Sequence, residues 1–145
     1  MAFTINKLVK FMQRPTTNHL NSLKRFIRYL KGTIFHGILL QKPASSALTA
    51  HSDADWARNK DDYSSTSAHL VYYGSSLISW KSSNQQAISR SSIEPEYRAL
   101  ANAASELSWI HSLLTELDVN SSMPPLILCD NLCATYLTHN HVYHT

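Results

Sequence analysis

The sequence predicts an α/β fold in which helices flank a mixed sheet, with a further helical segment at the amino end. Apolar residues recur at helical spacing over residues 17–31 and 92–117, whereas the shorter apolar runs between and after them are typical of strands. The sheet region is expected to run strand, strand, strand, helix, strand, helix. A helix that crosses over between two strands implies a parallel pair, so the sheet should be mixed.

The amino-terminal segment predicts two helices. The first covers residues 2–12; the second starts at Thr16 or Thr17, either of which can cap it, and stops at Gly32. Leucine and isoleucine form one face of this second helix, and four basic residues lie largely off that face: Lys24, Arg25, Arg28 and Lys31. This basic, amphipathic helix is a candidate for binding nucleic-acid phosphates. The alternative is a basic surface that is merely solvated.

The remaining elements follow in order along the chain. Extended segments are expected at residues 34–40, 48–54, 66–73 and 77–81, separated by turn and loop residues. A long helix then starts at Ser91 or Ser92 and reaches about residue 117, with Pro95 tolerated in its first turn. Residues 126–129 predict a short buried strand, and a last helix begins after Asp130.

The two parts of the chain carry opposite charge. Residues 1–52 hold eight of the thirteen Lys and Arg residues and no Asp or Glu, whereas residues 53–145 hold all ten acidic residues. We therefore divide the chain into a basic helical connecting segment, 1–46, and an α/β domain, 47–145. A basic region beside an acidic one suits a protein that binds a polyanion and concentrates carboxylates at a reaction centre.

Cysteine usage and hydropathy indicate the compartment. The two cysteines, Cys129 and Cys133, do not form a disulfide framework. No signal peptide is recognisable, and no apolar run approaches the roughly 20 residues that span a bilayer. We expect an intracellular protein, cytoplasmic or nuclear and not secreted, with no membrane partner.

Three acidic residues lie at the ends of predicted elements. Asp53 closes a strand, Glu96 lies in the first turns of the long helix, and Asp130 follows the strand at 126–129. Ligand sites often lie where strand ends meet helix starts. Carboxylates from separate elements suit Mg²⁺ or Mn²⁺. By position alone, the three residues could instead end a strand, face solvent and cap a helix.

The residues around these acids form recognisable blocks. They are Ser52-Asp53-Ala54-Asp55-Trp56-Ala57, Leu77-Ile78-Ser79-Trp80-Lys81, Glu94-Pro95-Glu96-Tyr97-Arg98-Ala99-Leu100 and Cys129-Asp130-Asn131, with Arg28-Tyr29-Leu30-Lys31-Gly32-Thr33 upstream. In this order the blocks resemble the ribonuclease H domain of copia-type retrotransposon Pol polyproteins, together with the segment that joins it to reverse transcriptase. The resemblance covers nearly the whole chain.

The resemblance implies a ribonuclease-H-like endonuclease, a hydrolase that cuts the RNA strand of an RNA–DNA hybrid with two Mg²⁺ or Mn²⁺ ions. Asp53, Glu96 and Asp130 would be its catalytic residues and metal ligands, with Asp55 and Glu94 in supporting or structural roles. The implied partners are the hybrid and the rest of a Pol polyprotein. In the family, a further stretch supplies a fourth acidic ligand, a closing strand and a helix. We therefore expect a fold truncated at the carboxyl end and impaired cleavage.

Two other functions are compatible with parts of the sequence. A non-catalytic nucleic-acid-binding remnant of a retrotransposon would use the basic helix and would not need Mg²⁺. A zinc site would use cysteines and histidines near the carboxyl end, although their spacing matches no zinc module: Cys129, Cys133, His139, His141 and His144. Dependence on Mg²⁺ distinguishes cleavage from phosphate binding.

Overall fold

A computed structural model describes residues 2–42, 45–57, 63–85, 87–119, 121 and 123–139. The elements in chain order are α1 (Ala2–Val9), α2 (Thr17–Gly32), β1 (Leu48–Asp55), β2 (Thr66–Tyr73), β3 (Ser76–Asn84), α3 (Ile93–Glu116), β4 (Leu126–Cys129) and α4 (Leu132–His139). The chain divides into two compact units, residues 1–39 and 40–145. Among the described helices, none combines the length and the apolar character needed to cross a membrane.

In the first unit, Thr16 is the N-cap of α2 and forms a capping box with His19. The Thr16 hydroxyl accepts a hydrogen bond from the His19 N–H at 3.4 Å, and the His19 ring accepts one from the Thr16 N–H at 3.1 Å. These reciprocal bonds provide partners for N–H groups that otherwise lack them at a helix start. The predicted start of this helix is therefore confirmed.

The second unit is built on a four-stranded sheet with the order β3-β2-β1-β4. β1 pairs antiparallel with β2 and parallel with β4, and β2 pairs antiparallel with β3. α3 connects β3 to β4, and this crossover accounts for the parallel pair. The predicted mixed α/β architecture with flanking helices is confirmed.

α3 covers one face of this sheet. The core between them consists of apolar side chains from β1, β2 and α3: Leu48, Ala50, Val71, Leu107 and Ile110. Nearer its amino end, α3 buries Ala99 and Ala103. Because alanine has a short side chain, the first turns of α3 can approach the sheet closely. This approach brings Glu96 to the end of β1.

Two predicted strands differ from the structure. Residues 34–40 form a turn and irregular backbone, and Phe35 is 98% exposed. An apolar run becomes a strand only when its backbone pairs with a neighbour, and these residues join none of the described strands. Residues 126–129 do form a strand, but it is not buried: β4 lies at the sheet edge, where Leu126 and Leu128 are 54% and 43% exposed.

Candidate metal centre

The parallel pair of β1 and β4 brings two of the predicted acids together. Ser52 in β1 lies opposite Cys129 in β4. Asp53 and Asp130 are the next residues along each chain segment, so they occupy adjacent positions at the carboxyl end of the pair. Paired strands lie about 4.8 Å apart, and both aspartates are exposed.

The third acid, Glu96, reaches the same edge from the first turn of α3. A carboxylate oxygen of Glu96, a carboxylate oxygen of Asp130 and the Sγ atom of Cys129 all lie within 4.8 Å of one another. Asp53 is outside this group, although its charge acts on Glu96. An acidic residue in the first turn also interacts favourably with the positive end of the helix dipole.

The environment of Glu96 favours a bound cation. Burial raises the pKa of its carboxyl above the ordinary value of 4.5, and the negative charges of Asp53 and Asp130 raise it further, against a backbone hydrogen bond from Ala54 that lowers it. The Oε2 atom of Glu96 is buried and makes no hydrogen bond within the described part of the chain. A bound cation would reduce the repulsion between Glu96 and the two aspartates, and it would give the Oε2 atom a partner. The oxygen donors present therefore fit a divalent metal ion.

The Cys129 thiol lies in the same environment. Burial raises the pKa of this thiol above 9.0, a backbone hydrogen bond from Asn131 lowers it, and the negative charges of Glu96, Asp130 and Asp53 raise it again. A free thiol with a raised pKa is protonated at neutral pH and is a weak nucleophile. Cys129 is therefore not a candidate for nucleophilic catalysis.

Two further side chains, Gln85 and Trp56, position the start of α3. The Nε2 atom of Gln85 donates hydrogen bonds to Ser67 Oγ at 2.6 Å and to the Pro95 carbonyl at 2.9 Å. The Nε1 atom of Trp56 donates to the Ser89 carbonyl at 3.1 Å. These bonds connect the ends of β3 and β1 to the residues that lead into α3. No periodicity or motif marks Gln85, because its partners are set by tertiary packing.

Glu94, two residues before Glu96, has a structural role. Its carboxylate pairs with the Arg98 guanidinium and accepts a hydrogen bond from the Arg90 N–H at 3.2 Å. Ser92 stands at the N-cap of α3, but its side chain makes no capping hydrogen bond. The ion pair and backbone bond of Glu94 thus stabilise the helix start in place of the predicted serine cap.

The other predicted ligands lie elsewhere. The four candidate nucleic-acid-binding residues are all exposed on α2 in the first unit: Lys24, Arg25, Arg28 and Lys31. Of the residues considered for zinc, Cys133 is exposed and does not join the group around Cys129. His141, His144 and the side chain of His139 lie outside the described residues.

Comparison with known proteins identifies the family. The chain is 52% identical over 145 residues to the retrovirus-related Pol polyproteins from transposons RE1 and RE2 of Arabidopsis thaliana. It is 28% identical over 144 residues to the Pol polyprotein from the copia-type transposon TNT 1-94 of Nicotiana tabacum.

These alignments cover 99% or more of the chain but only 10% or 11% of each relative, so the chain spans about a tenth of the length of these polyproteins. No protein-family model matches the chain, and no solved structure does. Identity over the whole chain nevertheless shows its family. The chain belongs to the retrovirus-related Pol polyproteins of copia-type retrotransposons and matches one segment of them.

Proposed function

We propose that this chain is the ribonuclease-H-like part of a Pol polyprotein and that it hydrolyses the RNA strand of an RNA–DNA hybrid. Asp53, Glu96 and Asp130 would bind two Mg²⁺ or Mn²⁺ ions. The proposal rests on the Glu96 carboxyl, which has a buried oxygen without a hydrogen-bond partner among the described residues and is repelled by three aspartates, Asp53, Asp130 and Asp55. The mixed sheet and the Pol relatives support it.

Each acid would contribute differently. Asp53 and Asp130 are exposed, so their carboxylates are accessible to cations from solvent. Glu96 is half-buried and held by α3, which fixes its distance from the strand ends. Bound Mg²⁺ or Mn²⁺ supplies a nucleophilic water and stabilises charge on the leaving oxygen. Glu96, Asp53 and Asp130 would hold these cations together, and the shared positive charge would offset the burial and repulsion that raise the pKa of Glu96.

Cleavage of a labelled RNA–DNA hybrid by the purified chain tests the proposal. We expect cutting with Mg²⁺ or Mn²⁺ and none with a chelator. Asp53→Asn should reduce the rate by roughly 100-fold or more, because it removes a metal ligand.

Asp118→Asn is the matched control. It makes the same chemical change at an exposed residue with φ of 56°, a backbone conformation that asparagine tolerates well. Asp118 follows the far end of α3, roughly 30 Å from Glu96 along the helix. Equal loss in both variants would contradict the assigned role of Asp53. The absence of cutting by a chain shown to be folded would refute the proposed activity.

A non-catalytic nucleic-acid-binding function is the second candidate. It is favoured by the exposure of all four basic residues of the cluster on α2: Lys24, Arg25, Arg28 and Lys31. α2 has no acidic residue to neutralise them. Phosphate binding by these side chains would be independent of divalent metal and would weaken as salt increases.

Hybrid binding measured by fluorescence anisotropy over a range of salt concentrations tests this candidate. Replacing Arg25 and Arg28 together by glutamine should make the slope of log K against log salt shallower by about 1.4 to 1.8, or about 0.7–0.9 per lost phosphate contact. Replacing Lys81 and Arg90 in the second unit is the control for net charge. Equal effects of the two double variants would refute a specific role of α2.

A further inference from the structure

The Cys129 thiol lies among the oxygen atoms of the candidate metal centre. Its Sγ atom is within 4.8 Å of a carboxylate oxygen of Glu96 and of one of Asp130. Cys129 ends β4 and is half-buried, whereas Cys133 lies in the first turn of α4 and is exposed. The two cysteines therefore differ in surroundings, and only Cys129 belongs to the group.

A second observation at the same position indicates a ligand. Ser52 is the register partner of Cys129 in the parallel pair, so the two side chains project side by side on the face that α3 covers. Ser52 is 6% exposed, and its Oγ atom makes no hydrogen bond to any residue that the structure describes. Glu96 Oε2 is buried and unpaired in the same way. Buried polar atoms almost always have a hydrogen-bond partner or a ligand. Two unpaired oxygens beside a thiol therefore indicate that a ligand binds at this position.

The donor set decides which cation would fit. Mg²⁺ takes oxygen ligands, whereas thiolate sulfur selects softer cations such as Zn²⁺ and Cd²⁺. Zinc–sulfur bonds of about 2.3 Å and zinc–oxygen bonds of about 2.1 Å place ligand atoms roughly 3.4 to 3.6 Å apart around one tetrahedral ion. The group spans no more than 4.8 Å, so small side-chain rotations would bring all three atoms to one ion.

We propose that Glu96, Cys129 and Asp130 bind a single thiophilic divalent cation, Zn²⁺ or Cd²⁺, with the Cys129 thiolate as the ligand that confers the preference. On binding, a sulfur–metal bond forms and the thiol proton passes to solvent, with no redox change. The same two carboxylates serve the Mg²⁺ site proposed above. The further consequence, that the softer cation competes with Mg²⁺ and inhibits cleavage, rests on that proposed function, whereas the binding itself does not.

Cadmium titration of the purified 145-residue chain tests the site, because a cadmium–thiolate bond produces a charge-transfer absorption in ultraviolet difference spectra. We expect this band in the unmodified chain and in Cys133→Ser, saturating at one ion per chain. Cys129→Ser should lose the band and bind Cd²⁺ at least about tenfold more weakly. Circular dichroism of each variant verifies the fold.

Three results would overturn the assignment. They are the absence of the band from the folded unmodified chain, its loss in Cys133→Ser, and its retention in Cys129→Ser. None of these depends on hybrid cleavage, so the metal site can fail or hold independently of the proposed function. If the chain does cleave with Mg²⁺, half-inhibition of Cys129→Ser, measured against its own rate without Zn²⁺, should require at least about tenfold more Zn²⁺ than half-inhibition of the unmodified chain.

Discussion

Leu107 offers a quantitative test of the interface between α3 and the sheet. It is 4% exposed and lies in the apolar core with Leu48 and Val71. Replacing it with alanine removes three buried carbon atoms, a transfer term of about 2.4 kcal/mol at about 0.8 kcal/mol each. Incomplete collapse of the resulting cavity should bring the loss in free energy of unfolding to about 3 kcal/mol, within the range of 2–5 kcal/mol for such substitutions.

The loss can be measured by urea and thermal unfolding monitored by circular dichroism. For a unit of this size, about 3 kcal/mol corresponds to a melting temperature lower by roughly 10–20 °C. Leu113→Ala is the matched control, because Leu113 lies on the same helix but is 38% exposed. We expect Leu113→Ala to lower stability by less than about 1 kcal/mol. Equal losses for the two variants would refute the packing described for α3.

Three further predictions concern the Glu96 carboxyl and the amino-terminal cap of α2. Because the folded-state pKa of Glu96 is raised above 4.5, the folded chain holds more protons than the unfolded chain just above that pH. Stability measured by urea unfolding should therefore fall as pH rises from 4.5 through the raised pKa, and added Mg²⁺ should reduce this loss. A flat profile would contradict the raised pKa that burial and the neighbouring aspartates produce. Glu96→Gln should be more stable than the unmodified chain at pH 7 without metal and gain less from Mg²⁺, and a less stable variant would contradict the reasoning. Thr16→Ala should lower the helix signal of α2 through the loss of about 1 kcal/mol of capping, whereas Ser22→Ala inside the helix should not.

Much of the fold could be predicted because local patterns are sufficient for its elements. The helical period identified α2 and α3, and the crossover between β3 and β4 implied the parallel pair. The segment at 34–40 shows the limit of this reasoning, since its apolar residues pair with none of the strands in the described part of the chain. β4 shows a related limit: its apolar run suggested burial, but edge position is a property of the whole sheet.

The candidate site, like the fold, could be predicted from the sequence only in part. Adjacent positions for Asp53 and Asp130 follow from two strands that run parallel, and the location of Glu96 follows from a helix that must start near Pro95. Cys129 could not be assigned by pattern, because a cysteine ending an apolar run usually behaves as a small core residue. Its place beside Glu96 depends on the register between β1 and β4, which no local signal specifies.

The two halves of the interface between α3 and the sheet contribute differently: one packs apolar residues, and the other positions the candidate site. The carboxyl half of α3 packs Leu107 and Ile110 on apolar residues of β1 and β2, whereas its amino half buries two alanines and holds Glu96 near Cys129, the register partner of the buried Ser52. Glu96 and Leu107 are eleven residues apart, about 16 Å along the helix. Polar groups left buried near Glu96 lower the stability of that half in the absence of a cation. If a cation binds as proposed, it should stabilise mainly the amino half of α3, because apolar packing already holds the carboxyl half on the sheet.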